Sequence, residues 1–479
     1  MMADADLRLR NGTLLTPAGA VAADLLIRGE RIAAVVEPSD PTPADSTIDV
    51  AGLHVLPGVV DLHAHTRVPG YDYKEDYLTC SQAAAVGGVT TIVDMPNVEP
   101  PTDDVRTFEE KRSIAAGQCI VDWGHLVAPV KTAQIPLLAA AGATGFKVFQ
   151  VSGGYPHDPR LALGEPEKMF VALDEVAKTG LHCSVHPFSQ PIMDLLTERA
   201  FAAGRPRDMR VFAEVYTADI VWRAGVVVLL ELQRETNARL HLLHTHAAGS
   251  LRAIRRAKRM GQAVTCAVDP KYYHLTDLDL DQQGARAIPG GSVTRDAERM
   301  AEIWRSLQDG TLDMIDSDHA PHTIADLKTF EDDPWTGPFG SPQYDYILSV
   351  VLTDVANGRF SLEQAVRLLS ENPARLIGRF PQKGALQVGS DADIVVVDLD
   401  REIVPSDEET FTKVQWTPYC GRRLRGAPVL TIRRGEVIAR DRKVQARPGS
   451  GRYLEGVPQE VRTAPHRGRS PGLQLKMRH

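Results

Sequence analysis

The sequence predicts an α/β protein, a (β/α)8 TIM barrel that carries a small β-sandwich domain built from both termini. Eight short apolar runs alternate with helical patterns through the centre of the chain, and similar strand phrases occur near its two ends. Strands that alternate with helices form parallel βα units, and eight such units close into a barrel of about 250 residues. A doubly wound open sheet is the alternative that this alternation leaves open.

The N-terminal part of the chain is expected to form short strands. Residues 7–10 alternate leucine and arginine, and Asn11-Gly12 is typical of a hairpin turn. Residues 24–36 predict two more strands around a glycine turn, and the phrase at residues 430–438 is similar to them. Because chain termini often lie close together, both ends are assigned to one small domain.

The predicted domain boundaries follow from this pairing of the two ends. The β-sandwich domain is assigned to residues 1–56 and 377–445, and the TIM-barrel catalytic domain to residues 57–376. Residues 446–479 are rich in Arg, Pro and Gly and are interpreted as a mobile C-terminal tail. An arm on a neighbouring subunit is the alternative interpretation of this tail.

The central region supplies the alternating pattern. Strands are predicted over residues 59–65, 89–95, 123–128, 145–150, 182–187, 240–246, 263–268 and 313–318. Helices are predicted over residues 75–86, 102–116, 134–141, 165–179, 210–235, 250–260 and 294–307. A later helix begins at Ser361, where Gln364 completes a capping box, and Asn372-Pro373 is expected to break the chain before the small domain.

Composition excludes several classes of protein. Hydrophobic residues make up 43% of the chain, and no apolar run approaches the roughly 20 residues that span a bilayer. The net charge of −8 argues against nucleic acid as a partner. Residues 1–10 contain no secretory apolar segment, and the five cysteines are scattered without a Cys-x-x-Cys pair. We therefore expect a protein of the reducing cytoplasm that does not bind membranes.

The first predicted barrel strand ends in His63-Ala-His65. Side chains alternate faces along a strand, so both imidazoles point to the same side and can bind one metal ion. The alternative is one buried histidine and one histidine at the strand end. Other predicted strands also end in metal-binding types, namely Lys147, His186, His244 and Asp318. Active sites of such barrels lie at the carboxyl ends of the strands, so these side chains are expected on one rim.

Structural roles are possible for each of these residues. His186 and His244 could be buried, hydrogen-bonded histidines, and His241 is expected to be one because it faces away from His244. His246 shares the face of His244, so spacing alone leaves both as ligands. Asp318 could cap a helix.

Lys147 poses a separate problem, because its ammonium would be repelled by divalent ions. Either it points away from the metals, or it has reacted with CO₂ to form a carbamate whose two oxygens can bridge two ions. Spacing does not distinguish these two possibilities.

Four phrases carry a resemblance to a known family. They are Pro57-Gly-Val-Val-Asp-Leu-His-Ala-His-Thr-Arg, Gly87-Gly-Val-Thr-Thr-Ile-Val-Asp-Met-Pro-Asn, Gly145-Phe-Lys-Val-Phe and Ser317-Asp-His-Ala-Pro-His. The chain resembles the cyclic amidohydrolases of the amidohydrolase superfamily, which include dihydroorotases, allantoinases and hydantoinases, and its motifs are most similar to those of dihydroorotases. The resemblance covers nearly the whole chain except the tail.

The resemblance implies a centre of two divalent ions, with Zn²⁺ expected. One ion would be bound by His63, His65 and Asp318, and the other by His186 and His244, while Lys147 as a carbamate would bridge both. The family phrase His-x-x-His matches His241-Leu-Leu-His244 and favours His244 over His246. A homo-oligomer, a dimer or a tetramer, is also expected.

The resemblance implies hydrolysis of a cyclic amide. Metal ions lower the pKa of water and polarise the ring carbonyl. Asp318 would take the proton of the attacking water and deliver it to the leaving ring nitrogen. By similarity to dihydroorotases, Arg67, Asn97 and His322 would bind a substrate carboxylate. The structural alternatives are that Arg67 pairs with an acid such as Glu75, that Asn97 caps a turn, and that His322 is an ordinary loop histidine.

Three departures from the family pattern leave the ring open. Asp269-Pro-Lys-Tyr-Tyr stands where the family has a Pro-His phrase, and residues 288–295 replace a Pro-Pro-Leu-Arg loop. Pro187 and Phe188 follow His186, where relatives often have a Glu two residues on. Allantoinase-like and hydantoinase-like substrates therefore remain alternatives to dihydroorotate. A non-catalytic scaffold of this fold and a barrel enzyme with one metal, such as a deaminase, are further alternatives.

Overall fold

The computed structural model describes residues 5–151, 158–288 and 296–460. Five strands precede the barrel: β1 (Ala5–Thr16), β2 (Gly19–Arg28), β3 (Arg31–Val36), β4 (Ala44–Asp49) and β5 (His54–Pro57). The predicted hairpin turn at Asn11-Gly12 is wrong. Residues 11 and 12 lie inside β1 at a bulge in its pairing with β2, and Asn11 takes a left-handed φ of 66° there. The tight connection comes after Thr16 instead.

The central strands are parallel and follow one another in chain order around the sheet. They are β6 (Val59–Ala64), β7 (Val89–Asp94), β8 (Asp122–Val127), β9 (Gly145–Phe149), β10 (His182–His186), β11 (Arg239–Leu242), β12 (Val264–Val268) and β13 (Met314–Ile315). Ala64 pairs with His319 just beyond β13, and the His65 amide donates to the His319 carbonyl at 2.8 Å. This pairing joins the first strand to the last, which confirms the barrel and excludes the doubly wound sheet.

Helices surround these strands and follow them along the chain. They are α1 (Tyr77–Val86), α2 (Val105–Ala116), α3 (Ile135–Ala140), α4 (Pro166–Thr179), α5 (Gln190–Ala202), α6 (Met209–Tyr216), α7 (Asp219–Thr236), α8 (Ala248–Arg259), α9 (Lys271–His274), α10 (Asp277–Gln283), α11 (Ala297–Asp309), α12 (Ile324–Asp332), α13 (Ile347–Ala356), α14 (Leu362–Val366) and α15 (Asn372–Leu376). Among the described residues, no helix is long and apolar enough to cross a bilayer.

Two helix predictions need correction. The single helix expected over residues 210–235 is divided into α6 and α7, because Ala218 takes an extended conformation between them. The break expected at Asn372-Pro373 does not occur. Pro373 lies in the first turn of α15, where its missing N–H costs no hydrogen bond, and a π-helical turn over residues 367–371 connects it to α14.

Four strands follow the barrel: β14 (Ile394–Ile403), β15 (Leu424–Arg433), β16 (Glu436–Arg440) and β17 (Lys443–Val444). Within the described residues, they join the N-terminal strands in one nine-stranded sheet, where β14 pairs antiparallel with β5. Leu9, Leu25 and Ile394 are fully buried in its core. The small β domain predicted from both termini is therefore confirmed.

The first part of the expected tail packs against the barrel. The Trp123 amide donates to the Arg452 carbonyl, and the Leu454 amide donates to the Trp123 carbonyl. The Thr144 hydroxyl donates to the Leu454 carbonyl at 2.8 Å. Further along, the Gln459 amide donates to the Gly180 carbonyl. Residues 450–460 therefore lie across the amino-terminal ends of β8, β9 and β10, opposite to the rim where the strands end. Residues 461–479 of the predicted tail lie outside the described residues.

Candidate metal centre

Six side chains from five strand ends converge at the carboxyl-terminal rim of the barrel. They are His63, His65, Lys147, His186, His244 and Asp318, all buried. His244 and Asp318 lie just beyond β11 and β13 and take left-handed φ values of 52° and 42°. Such backbone conformations cost about 1–3 kcal/mol in a residue other than glycine, and they are common at functional sites. Here they turn both side chains towards the barrel axis.

The distances within this group are short. The Oδ1 atom of Asp318 lies 3.2 Å from Nε2 of His63 and 3.2 Å from Nε2 of His65. The ring of His244 lies 4.8 Å from that of His63 and 4.7 Å from that of His186, between centroids. The histidines therefore form one continuous cluster, with Asp318 in contact at one end.

Lys147 lies fully buried among these groups, as the third residue of β9. Its Nζ has no hydrogen-bond partner among the described residues and lies 4.4 Å from the centroid of the Phe149 ring. Burial lowers the pKa of Lys147 to about 7, although the carboxylates of Asp318, Asp316 and Asp269 oppose this shift. Among the described residues, the Lys147 ammonium therefore forms neither a hydrogen bond nor an ion pair that would stabilise its charge.

The outer ring nitrogens of two of these histidines are fixed by oxygen atoms. Nδ1 of His65 donates to Oδ1 of Asn97 at 2.9 Å, and Nδ1 of His244 donates to Oδ2 of Asp269 at 2.6 Å. A carboxylate or carbonyl on one nitrogen orients the ring and makes the other nitrogen a better metal ligand. In both rings, Nε2 is left to bind a metal. The structural alternative was that Asn97 caps a turn, but its Oδ1 atom accepts the hydrogen bond from His65 instead.

Burial also sets the charge state of this site. It lowers the pKa of His65 to about 4 and that of His63 well below its usual 6.5, so both imidazoles are neutral at pH 7. Burial opposes ionisation of Asp318, but contacts with Lys271 and His63 hold the pKa of Asp318 well below its usual range. Neutral imidazole and ionised carboxylate are the forms that bind divalent ions.

The donor set fits a metal centre. Candidate ligand atoms of His63, His65 and Asp318 lie within 4.8 Å of one another, and so do those of His63, His244 and Asp269. Imidazole and carboxylate are the usual ligands of catalytic Zn²⁺ and related ions. A third group, Asp122, Asp391 and Asp393, lies at the other end of the barrel. There the ammonium of Lys383 contacts all three carboxylates.

The rival histidines take structural positions. The ring of His246 stacks on Tyr272 with 4.2 Å between centroids, and its Nδ1 donates to the His244 carbonyl. Nδ1 of His241 contacts the Thr265 hydroxyl at 2.8 Å. The structure brings His244, and not His246, into ring contact with His63 and His186.

Arg67 lies beside the centre in the turn after β6, with a left-handed φ of 67°. Its Nη2 donates to Nε2 of His322 at 3.0 Å, and its Nε donates to the Pro321 carbonyl. Nζ of Lys74 contacts Nδ1 of the same His322 ring at 3.2 Å. Glu75, the acid suggested by the structural alternative, bonds instead to the Thr412 hydroxyl. Arg67, Lys74 and His322 therefore form a buried hydrogen-bonded cluster.

A cleft opens over the centre, with about 440 Å³ of empty space when the open solvent at its mouth is counted. Its polar lining comes from His63, His65, Arg67, Asn97, His186, His244 and Asp318. Phe149, Tyr216, Tyr272 and Phe339 form an aromatic wall. Convergent polar groups in a largely apolar cleft are typical of small-molecule sites.

Three buried residues at the centre were not predicted from the sequence as site residues. They are Asp269, Lys271 and Asp316, and Oδ2 of Asp316 lies 3.5 Å from Nδ1 of His63. Asp269 and Lys271 follow directly after β12, a strand end that was noted only as a departure from the family phrase. Asp316 lies directly after β13, two positions before Asp318.

Comparison with known families gives a match over most of the chain. A model of the amidohydrolase family matches residues 54–437. The chain is 33% identical to an L-hydantoinase of Paenarthrobacter aurescens over 456 residues, which cover 94% of this chain and 98% of that protein. It is 34% identical to an allantoinase of Deinococcus radiodurans over 459 residues, with 94% and 98% coverage. A dihydroorotase of Methanothermobacter thermautotrophicus is 31% identical over 418 residues, with 86% and 89% coverage.

Solved structures agree with these sequence matches. The L-hydantoinase (dihydropyrimidinase) from Arthrobacter aurescens superposes with a TM-score of 0.88 at 32% identity. The alignment covers 94% of this chain and 99% of that one. Both the barrel and the sheet from the two termini are therefore shared over nearly their full length.

Proposed function

Because the chain belongs to the amidohydrolase family, in its cyclic amidohydrolase branch, we propose that it opens the C–N amide bond of a cyclic ureide. The observation that carries this proposal is the convergence of His63, His65, Lys147, His186, His244 and Asp318 on one buried centre. A non-catalytic scaffold would have no need for buried ligands with strained backbones at His244 and Asp318.

The family uses divalent metals, and we assign the ligands by residue. His63, His65 and Asp318 would bind one ion, His186 and His244 the other, and Lys147 would bridge them as a carbamate. The position of the Lys147 amine supports the carbamate, because an unmodified amine has neither a hydrogen-bond partner among the described residues nor a close carboxylate there. Reaction of the neutral amine with CO₂ forms an N–C bond, releases one proton and leaves one negative charge that two oxygens share. Zn²⁺ is the ion that this donor set favours.

Bound metals would supply Lewis acidity and a water of lowered pKa. The chain's own residues would then handle the proton. Asp318, whose Oδ1 faces both His63 and His65, would accept the proton of the attacking water and return it to the ring nitrogen as the C–N bond breaks. The products are a carboxylate and an N-carbamoyl group on one open chain.

Two classes of ring are supported by different parts of the cavity. A ring that carries a carboxylate, such as dihydroorotate, is favoured by Arg67, Asn97 and His322, since Arg67 adds a guanidinium to the lining and lies against His322. A neutral 5-substituted hydantoin is favoured by the aromatic wall of Phe149, Tyr216 and Phe339. Relatives named for both rings, and for allantoin, match this chain at similar identity.

A hydrolysis panel tests the function. The protein is loaded with Zn²⁺ in bicarbonate buffer and assayed on dihydroorotate, allantoin, hydantoins, dihydrouracil and cyclic imides. We expect ring opening of at least one ureide, and failure on the whole panel with two metals bound would overturn the proposal. Negligible bound metal after loading would instead favour the scaffold.

Arg67→Met separates the two ring classes. Loss of the guanidinium should lower kcat/KM for dihydroorotate by about 10-fold or more, because a charged hydrogen bond contributes about 1.5–3 kcal/mol. The effect on a neutral hydantoin should be much smaller. Equal losses on both rings would show that Arg67 holds the turn after β6 and does not bind the carboxylate.

We also propose that the protein forms a homo-oligomer. Exposed apolar side chains on α4 and α7 support this, namely Phe170, Val171, Val227 and Val228. Light scattering on the purified protein tests it, and a monomeric mass at micromolar concentration would contradict it.

A further inference from the structure

Lys271 occupies an unusual place in the centre. It is the first residue of α9, directly after the end of β12, and its side chain is fully buried. Its Nζ donates to Oδ2 of Asp318, and also lies 3.4 Å from the Asp318 carbonyl oxygen and 3.7 Å from Oδ2 of Asp269. Asp318 lines the cavity, whereas Lys271 is not among the described residues that line it. Lys271 therefore contacts the centre and not the substrate.

The two carboxylates that Lys271 contacts serve opposite sides of the histidine cluster. Asp318 uses Oδ1 towards His63 and His65, so Lys271 binds the other oxygen of the same carboxylate. Asp269 uses Oδ2 to hold Nδ1 of His244. One ammonium thus lies between the anchor of His244 and the carboxylate that faces His63 and His65.

The Lys271 ammonium stabilises the two carboxylates electrostatically. Two carboxylates so close together in a buried site repel each other, and a shared cation removes that repulsion. A carboxylate held at one oxygen also cannot rotate to offer both oxygens to an ion. Asp318 is therefore limited to one ligating oxygen, and its second oxygen keeps a fixed direction.

We propose that Lys271 is a positioning residue of this centre, which fixes the Asp318 carboxylate by its Oδ2 atom and couples it to the Asp269–His244 pair. The proposal rests on the proposed function, because Asp318 is there the group that carries the proton. Lys271 acts through Asp318 and touches neither substrate nor reacting atoms.

The test compares Lys271→Met with Lys271→Arg, which keeps the charge. Lys383→Met is the matched control, because Lys383 is also a fully buried lysine that contacts carboxylates, but at the opposite end of the barrel. Each protein is loaded with Co²⁺, and three quantities are measured: bound metal per chain, the visible absorption band of Co²⁺, and kcat and KM on the best ring of the panel.

We expect Lys271→Met to bind the same amount of metal as the unchanged protein. Its Co²⁺ band should change in position or intensity, because the carboxylate can now rotate, and kcat should fall about 10–100-fold with KM within about twofold. Lys271→Arg should restore the band and most of kcat. Lys383→Met should show the original band and kcat in its folded fraction.

Two results would overturn the proposal. One is a Lys271→Met protein with an unchanged Co²⁺ band and kcat within about twofold. The other is loss of bound metal from both Lys271 variants, which would show that Lys271 only maintains the fold. If Lys271→Met does not fold, Lys271→Gln carries the same expectations. If no ring is opened by the unchanged protein, the proposed function fails, but the Co²⁺ band still decides the role of Lys271.

Discussion

At the scale of single residues, hydrogen bonds to Nδ1 orient two of the histidine rings in the centre. Asp269 and Asn97 each accept a hydrogen bond from the outer nitrogen of one ring, at 2.6 and 2.9 Å. These contacts select the tautomer in which Nε2 is the ligand. The geometry of the centre therefore also depends on residues outside the six proposed ligands.

Asp269→Asn should weaken the centre without removing a ligand. An amide can turn its NH₂ group towards His244, which removes the charged acceptor on Nδ1 and lets the ring rotate. We expect metal affinity or kcat to fall about 10–100-fold. Competition with a chelator measures the affinity, and Asp279→Asn, on α10 outside the metal centre, is the control. Unchanged metal affinity and kcat would show that Asp269 serves only as an ion-pair partner of Lys271.

Lys147→Met tests the carbamate directly. Loss of the bridging group should remove at least one metal per chain and lower kcat by about 100-fold or more, since even outer contacts change affinity by 10–100-fold. Mass spectrometry of the unchanged protein in bicarbonate should show the mass of a CO₂ adduct on the peptide that contains Lys147. Lys178→Met, at an exposed lysine, is the control. Full metal content in Lys147→Met would favour a centre with one metal.

The convergence of His63, His65, His186, His244 and Asp318 could be predicted from the sequence, because all of them follow strand ends of one barrel. Asp269 and Asp316 could not, because a carboxylate after a strand is more often a turn residue than the partner of a distant histidine. The contact between Asp269 and His244 joins neighbouring strands, so it appears only once the register of β11 and β12 is known. Lys271 was visible only as an exception to a family phrase.

At the scale of one element, β8 carries a histidine that has no role at the centre. His125 is fully buried among aromatic rings, with Trp123 at 5.2 Å and Tyr453 at 5.8 Å between centroids. Burial, reinforced by the nearby Lys111, lowers the pKa of His125 to about 3. Its unfolded value is 6.5, so below that pH the unfolded chain binds a proton that the folded chain does not.

His125→Phe should therefore reduce acid lability. The stability that depends on neutral His125 is complete above pH 6.5 and is lost as the pH falls towards 3. At pH 4.5 the loss amounts to about 3 kcal/mol, at about 1.4 kcal/mol for each of about 2 pH units. Urea unfolding at pH 7 and pH 4.5 measures the difference for both proteins. If the stability difference between pH 7 and pH 4.5 is as large in His125→Phe as in the unchanged protein, other buried histidines cause the acid lability.

The element predictions succeeded where periodicity was strong and failed where local geometry decided. The strands of the barrel lie close to their predicted positions because they are continuous apolar runs between turns. Asn11-Gly12 was misassigned because the same dipeptide serves a bulge and a hairpin turn equally well, and only the pairing partner distinguishes them. Pro373 was misassigned because the first turn of a helix tolerates proline.

At the scale of the whole molecule, the two ends of the chain hold the base of the barrel. The nine-stranded sheet joins residues from both termini, and residues 450–460 then cross the starts of β8 to β10. Lys383 connects the two parts by contacting Asp122 at the start of β8 and Asp391 before β14. Residues 450–460 therefore lie at the end of the barrel opposite to the candidate metal centre.

Truncation should show what the crossing segment contributes. A chain that ends at residue 449 should be less stable than one that ends at residue 460, because Trp123 and Thr144 lose their partners and the Tyr453 ring leaves the cluster. Loss of one large packed ring alone costs about 3–5 kcal/mol. Thermal unfolding of both chains measures this. Equal unfolding midpoints would mean that residues 450–460 lie against the barrel without contributing to its stability.

The joining of β6 to the chain after β13 has a consequence for how the protein is made. His63 and His65 leave the ribosome about 250 residues before Asp318, which at ordinary rates of synthesis is a delay of roughly tens of seconds. Ala64 and His319 pair at the seam where the barrel closes, and the ligands on either side of that seam belong to one candidate site. The complete site therefore cannot exist until the growing chain has passed Asp318. Metal ions at the candidate site would enter only after β13 has been made, and once bound they would connect the two sides of the seam that closes the barrel.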